Sequence, residues 1–157
     1  MTITVEDGSQ VTNSNSYVSE NELTAYATAR GVTPSTDLEQ LIIKSMDYLE
    51  GLSFTGYKAD KDQSLQWPRG SVVIDGYYVD IDSIPQELKD AQMATCLEIE
   101  AGNDPLSTIK QEKQSVTVGP ISTTYKTGSS ASPISRTINT QLRKLLSSGG
   151  SGFSVNR

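Results

Sequence analysis

Several groups of residues in this 157-residue chain have types or spacings that could do chemistry. Cys96 is the lone thiol. A nucleophilic cysteine acts as its thiolate and needs a base or cation beside it. Cys96 lies in MATCLEIE, among Met93, Ala94, Leu97 and Ile99, and the sequence contains no His. That setting is one of a buried, inert thiol. Asp80 and Asp82 in YVDIDS are candidate divalent-ion ligands, but no spaced acidic partners complete a calcium-type loop. Carboxylates at the end of a strand leading into a helix are instead favoured by the helix dipole. Glu98 and Glu100 stand on different faces of a helix and cannot converge as an acid–base pair. Gly149-Gly150-Ser151-Gly152 lacks the Lys-Ser/Thr that makes a phosphate loop. The missing His also removes the usual general base near neutral pH, which argues against a small hydrolase. The sequence calls for no catalytic residue, metal or cofactor.

The remaining candidate is LQWPRGSVVIDGYYV, residues 65–79, with the only Trp of the chain. Trp67, Tyr77 and Tyr78 are of the type that stacks nucleobases or ligand rings. Their charged neighbours are Arg69 against Asp75, Asp80 and Asp82, which opposes a phosphate backbone. The alternative is a structural clamp formed by Trp67, Pro68, Arg69, Asp75 and Gly76. There Trp67 fills the gap between the second and third helices, and Arg69 caps a helix or pairs with a carboxylate. The clamp is the reading we adopt from sequence.

Composition bounds the rest. Net charge is −6, the pI is about 4.6 and hydrophobic residues make up 35%. An acidic chain gains little from counterion release, so sequence-independent nucleic-acid binding and adhesion to anionic membrane are disfavoured. No apolar run approaches the roughly 20 residues of a membrane span. MTITVEDGSQ has neither the basic nor the apolar part of a signal peptide. A soluble protein of a reducing compartment is expected.

The elements that must position these residues read as a mainly α fold. It is a small bundle of about four helices with short β-hairpins and an extended C-terminal arm. Residues 1–18 alternate and form an N-terminal strand or loop arm. Residues 19–104 form the helical core. Ser19 and Glu22 make a capping box for a helix over Glu20–Arg30. Thr36 and Glu39 make a second box, ahead of a helix over Asp37–Leu49 with Leu38, Leu41, Ile42, Met46 and Leu49 at helical spacing. GYKADKDQS, 56–64, is a charged surface loop. Val72–Ile74 and Tyr77–Val79 flank Asp75-Gly76, a favoured two-residue turn, and give a hairpin over 72–79. Ser83 and Gln86 make a third box for a central helix over Pro85–Ala101. Residues 105–135 are a β-prone arm and linker. Residues 136–157 are a C-terminal helix, over Thr137–Leu146, and a Gly/Ser-rich tail.

The order of these motifs resembles a known family. EDGSQVTNSNSYVSENELTAYATARG, LIIKSMDYLEGLSFTGYKAD, and LQWPRGSVVIDGYYV followed by IPQELKDAQMATCLEIEAG are similar to the head–tail connector (adaptor, head-completion) proteins of long-tailed phages. Their relatives are often labelled DnaT-like ssDNA-binding proteins. The more specific elements are Asn15–Ser19, Asp47-Tyr48-Leu49, Leu65–Arg69 and Ile84-Pro85. The likeness covers residues 6–102 and is looser over 115–146.

This resemblance implies a non-enzymatic virion protein at the head–tail interface of the capsid vertex, made in the host cytoplasm. It would be a homo-oligomeric ring, typically of twelve copies, bound to the portal protein. The ring would extend the DNA channel and carry the stopper or tail-completion protein, with no membrane partner. An acidic lumen would let DNA slide without specific binding; Glu98, Glu100, Asp60 and Asp62 are candidates to line it. Ile138, Leu142, Leu145, Leu146, Phe153, Val155 and Arg157 are expected to contact the portal or a neighbouring subunit. Val116, Val118, Ile121 and Tyr125 belong to an arm reaching a neighbouring subunit or the next ring. The rival reading is a replication accessory protein that binds single-stranded DNA, with bases stacked on Trp67, Tyr77 and Tyr78 and phosphates held by Lys58, Lys61 and Arg69.

Overall fold

The computed structural model describes residues 2–106 and 136–147, together with the backbone of strands 113–117 and 122–125. The fold is mainly α: four helices accompanied by short two-stranded antiparallel sheets. Helices α1 (Glu20–Thr28), α2 (Leu38–Glu50), α3 (Gln86–Glu100) and α4 (Arg136–Leu142) form the framework. Among them α3 is central, since it packs against each of the other three. No helix among the described residues is long and apolar enough to cross a membrane.

The capping signals predict three helix starts, and the structure realises them unequally. At α1 the box forms: Ser19 Oγ accepts from the Glu22 N–H, and the Glu22 carboxylate accepts from the Ser19 N–H. At α2 the N-cap is Asp37 in place of Thr36; its carboxylate accepts from the Gln40 N–H. Ser35 and Thr36 are held instead by Glu100. At α3 the predicted box is absent. Pro85 is the N-cap, with no side-chain bond, and the Ser83 hydroxyl turns back to the Asp80 carbonyl.

Leu41, Ile42 and Leu49 of α2, with Leu88 and Ala91 of α3, are fully buried. Each large aliphatic side chain removed from water in this way stabilises the fold by about 1.5–3 kcal/mol. Small residues at Ala91 and Ala94 let the helices approach closely.

The expected N-terminal arm is part of the core. Tyr17 and Val18 are fully buried, and no regular strand forms before α1; Val5 and Ser16 make only an isolated bridge. Glu6 is buried and satisfied locally, accepting from the Gly8 and Gln10 amides and from Ser14 Oγ. Gly8 packs so closely that an added Cβ would lie 1.9 Å from the Asp82 carbonyl oxygen. This contact ties the N-terminus to the turn that leads into α3.

The 56–64 segment, expected as a loop, contributes strand β1 (Tyr57–Lys58), which pairs with β2 (Arg69–Gly70). Strands β3 (Val73–Ile74) and β4 (Tyr77–Tyr78) form the predicted hairpin. Asp75 and Gly76 both have positive φ, as the tight turn requires. Strands β5 (Lys113–Thr117) and β6 (Ser122–Tyr125) pair antiparallel, with a register shift between Lys113 and Ser115. Val118, Ile121, Phe153, Val155 and Arg157 lie outside the described residues, as does the rest of the tail beyond Ser147.

Candidate functional site

The 65–79 stretch splits into an inward half and an outward half. Trp67 is fully buried and meets Phe54 edge to face, with ring centroids 5.9 Å apart. Its backbone N–H donates to the Tyr17 hydroxyl, which donates in turn to Glu50 at the end of α2. The Glu50 carboxylate also accepts from the Gln66 N–H. Burial and the neighbouring Glu50 carboxylate raise the Tyr17 pKa well above its ordinary value. The peptide bond between Trp67 and Pro68 is cis.

Among the described residues Arg69 pairs with no carboxylate, contrary to one sequence expectation. Its Nε donates to the Thr55 carbonyl at 2.8 Å and its Nη2 to the Gly56 carbonyl at 2.8 Å. Nη1 donates to the Gln66 side-chain oxygen at 3.0 Å. A planar guanidinium with a fixed fork of donors suits a turn whose carbonyls have no ladder to join. Gln63, buried nearby, donates to the Leu65 and Pro68 carbonyls and closes the same loop. Nothing in the periodicity of the chain announces Gln63.

Asp75 and Gly76 stand apart from this centre, exposed at the hairpin tip. Asp75 pairs with Lys144 at 2.5 Å, so it fastens the hairpin to the segment following α4. That segment also pairs with the chain beside Phe54: Leu146 bridges Phe54, and the Thr55 N–H donates to the Leu145 carbonyl. Ile138, Leu142 and Leu145 are buried and Leu146 is half-buried in the same core. These four were expected to meet the portal or another subunit; in this chain Ile138, Leu142 and Leu145 are enclosed by its own core and Leu146 is half-covered. An apolar stripe declares that a helix face wants cover, not whose cover it will be.

The outward half carries the exposed aromatics. Tyr77 and Tyr78 are 79% and 81% exposed, and Tyr57 on β1 is 58% exposed. Tyr57 was missed from sequence because its position depends on a pairing with Arg69-Gly70 that no local pattern encodes. Gly70 is the floor under it: an added Cβ would meet the Tyr57 ring and Ile81 Cδ1, each at 2.9 Å. Lys58 is half-buried, Lys61 pairs with Asp62 at 2.8 Å, and the Arg69 guanidinium is engaged by carbonyls. Of the basic residues expected to hold phosphates, Arg69 is thus committed to its own loop, while Lys61 makes an exposed pair.

The other chemical candidates have structural partners. Cys96 is buried against the Leu41 carbonyl, and burial pushes its pKa up to about 12. Glu100 accepts from the Ser35 and Thr36 backbone and from the Ser35 hydroxyl, and hydrogen bonds from Thr36 and Ser35 pull its pKa down to about 2. Glu98 accepts from the Asn103 amide. Among the described residues no three His, Cys, Asp or Glu side chains are grouped to hold a metal ion.

The chain matches no curated protein and no solved structure. A family model described as "Putative DnaT-like ssDNA binding protein" matches residues 1–157. The chain belongs to this DnaT-like family.

Proposed function

We propose that this protein is a structural head-to-tail adaptor of a phage particle. In this reading, copies form a ring beneath the portal, extend the DNA channel and offer a docking platform for the stopper or tail proteins. The observation that carries the reading is the β5–β6 hairpin, whose strands among the described residues pair with each other as a separate two-stranded sheet. A two-stranded hairpin is marginal in water by itself, so it calls for a surface outside its own fold. The resemblance to connector proteins read in the motifs of residues 6–102 is what suggests this class of assembly. The acidic balance fits a channel that DNA slides through.

Because α4 is held within its own core, portal docking in this reading falls to the tail. Mixing the chain with a cognate portal and imaging by electron microscopy tests it: a stacked ring is expected. Deleting residues 149–157 should abolish portal binding and leave helical circular dichroism unchanged. Unchanged portal binding would remove the tail from the account, and no stacked ring with the intact chain would remove the adaptor reading.

Single-stranded DNA binding is a second reading, favoured by the family description and by the exposure of Tyr57, Tyr77 and Tyr78. Trp67 takes no part in it, since a fully buried indole cannot stack on a base. Its fluorescence is therefore a poor reporter, and anisotropy of a labelled oligonucleotide is the better measurement. Binding that falls steeply with salt and is lost in Tyr77→Ala/Tyr78→Ala would favour this reading over the adaptor.

A further inference from the structure

Charge is unevenly distributed along the chain. Residues 1–106 contain eighteen Asp and Glu against six Lys and Arg, whereas residues 107–157 contain one Glu against seven Lys and Arg. The first part therefore carries −12 and the second +6. At α4 some of this difference is met within the chain, as in the Lys144–Asp75 pair. The arm that contains β5 and β6 carries Lys110, Lys113 and Lys126 against Glu112 alone.

The body offers a surface of opposite character. Of the large apolar side chains left exposed, Tyr57, Val73, Tyr77, Tyr78 and Ile81 all fall between residues 57 and 81. Among the described residues one other, Leu106, stands at the root of the arm. Tyr57 and Ile81 close together over Gly70, and Val73 and Tyr78 face each other across the β3–β4 hairpin. Asp80 and Asp82 flank Ile81 and make no ion pair among the described residues. Clustered exposed apolar residues rimmed by charge mark an interaction surface.

We propose that the β5–β6 arm of one copy seats on the Tyr57–Ile81 face of the next. The assignment rests on the ring-subunit reading above and names the two surfaces that join the copies. Charge selects the occupant: a basic arm meets an acidic, aromatic face. Among the described residues β5 and β6 pair with each other alone, and in the ring-subunit reading a second copy supplies the occupant of that face. Such a contact uses a different surface on each partner, and repeated around an axis whose rotation closes it builds a ring.

Cysteine crosslinking of the full-length protein tests this. Cys96 is buried, so engineered thiols would be the reactive ones. Val73→Cys and Val116→Cys, which leave the tyrosine rings in place, are put on separate chains, mixed, and treated with a short bismaleimide. A mixed crosslinked dimer is expected, and the triple change Lys110→Glu/Lys113→Glu/Lys126→Glu should lower its yield at least tenfold. Asp80→Lys/Asp82→Lys on the partner should restore it. Gly70→Ala, which displaces Tyr57 and Ile81 above the core, should weaken the crosslink without lowering the melting temperature appreciably. No mixed dimer, or a crosslink found only when both cysteines share one chain, would overturn the proposal. So would loss of oligonucleotide binding in the triple Lys variant, which would give the arm a nucleic-acid occupant. Portal binding is scored separately: a mixed dimer without portal binding keeps the arm contact and rejects the adaptor reading.

Discussion

Two regions built from one short stretch of sequence behave in opposite ways. Around Trp67 and Arg69 the side chains turn inward, and the polar groups that follow are met by Tyr17, Glu50 and the carbonyls of residues 54–56. A few residues on, Tyr77 and Tyr78 turn outward and lie almost wholly in water. Aromatic content alone does not separate a core from an interaction face. Hydrogen bonding follows the same division. Tyr17, Glu50, Gln63 and Arg69 of the inward region bond within the chain, with the Trp67 indole N–H the buried exception. The outward rings face water, and Asp75 there is tied back by Lys144. If this contrast is right, substitutions in the two regions should differ in kind. The first should unfold the protein and the second should leave it folded.

The largest expected effect is at Trp67. Trp67→Ala leaves a cavity beside Phe54 and should cost about 3–5 kcal/mol in urea unfolding. A loss below about 1 kcal/mol would mean that the clamp is not central to the core. Slightly smaller is Leu142→Ala, at about 2–4 kcal/mol. That substitution decides whether α4 belongs to its own chain: if the isolated variant melts like the parent, Leu142 is not a core residue, and a partner surface returns as its role.

How much of this contrast was legible beforehand depended on the range of each signal. The α1 capping box and the Asp75-Gly76 turn are local chemistry, and both formed as expected. At α3 the local signal misled, because Pro85 occupied the cap and Ser83 found the Asp80 carbonyl instead. The burial of Tyr17, the Tyr57 pairing with Gly70 and the anchoring of Leu146 beside Phe54 join residues far apart in sequence. No periodicity encodes such pairings. The α4 stripe of Ile138, Leu142 and Leu145 was visible as an apolar face, but its destination was not. For the candidate site, residue types were legible while direction was not: Trp67 and Tyr78 belong to the same motif and face opposite environments.

A sharper test of the inward region uses pH. In the folded protein Tyr17 holds its proton well above the ordinary phenol value of about 10. A group whose folded pKa is raised contributes stability that is complete below the unfolded pKa and lost as pH climbs towards the folded one. Stability should therefore begin to fall above about pH 10, and Cys96, raised to about 12, adds to the same alkaline loss from about pH 9 upwards. Tyr17→Phe removes the bonds to Glu50 and Trp67 and should cost about 1–2 kcal/mol at neutral pH. It should also flatten the alkaline limb between pH 10 and 12 relative to the parent. An unchanged limb would mean that Tyr17 titrates normally and that its hydroxyl is open to water.

The smallest expected effect on stability lies in the outward region and completes the contrast. Tyr77 and Tyr78 are about four-fifths exposed, so truncating them removes little buried area, and Tyr77→Ala or Tyr78→Ala should shift unfolding by no more than about 0.5 kcal/mol. Their cross-strand partners Ile74 and Val73 retain the ladder bonds of the hairpin, and Lys144 still fastens its tip through Asp75. What should change is association. If the rings form the centre of an interface, they lie where truncation commonly costs at least 2 kcal/mol of binding, or roughly thirtyfold in Kd. Sedimentation of the variants alone and with their partner measures this, beside urea curves that establish the folded fraction. Destabilisation comparable to Trp67→Ala would place both regions in one core and dissolve the distinction. Unimpaired folding with unimpaired association would leave the outward rings as ordinary surface, and would move the search for an interface to the acidic flank of Asp80 and Asp82.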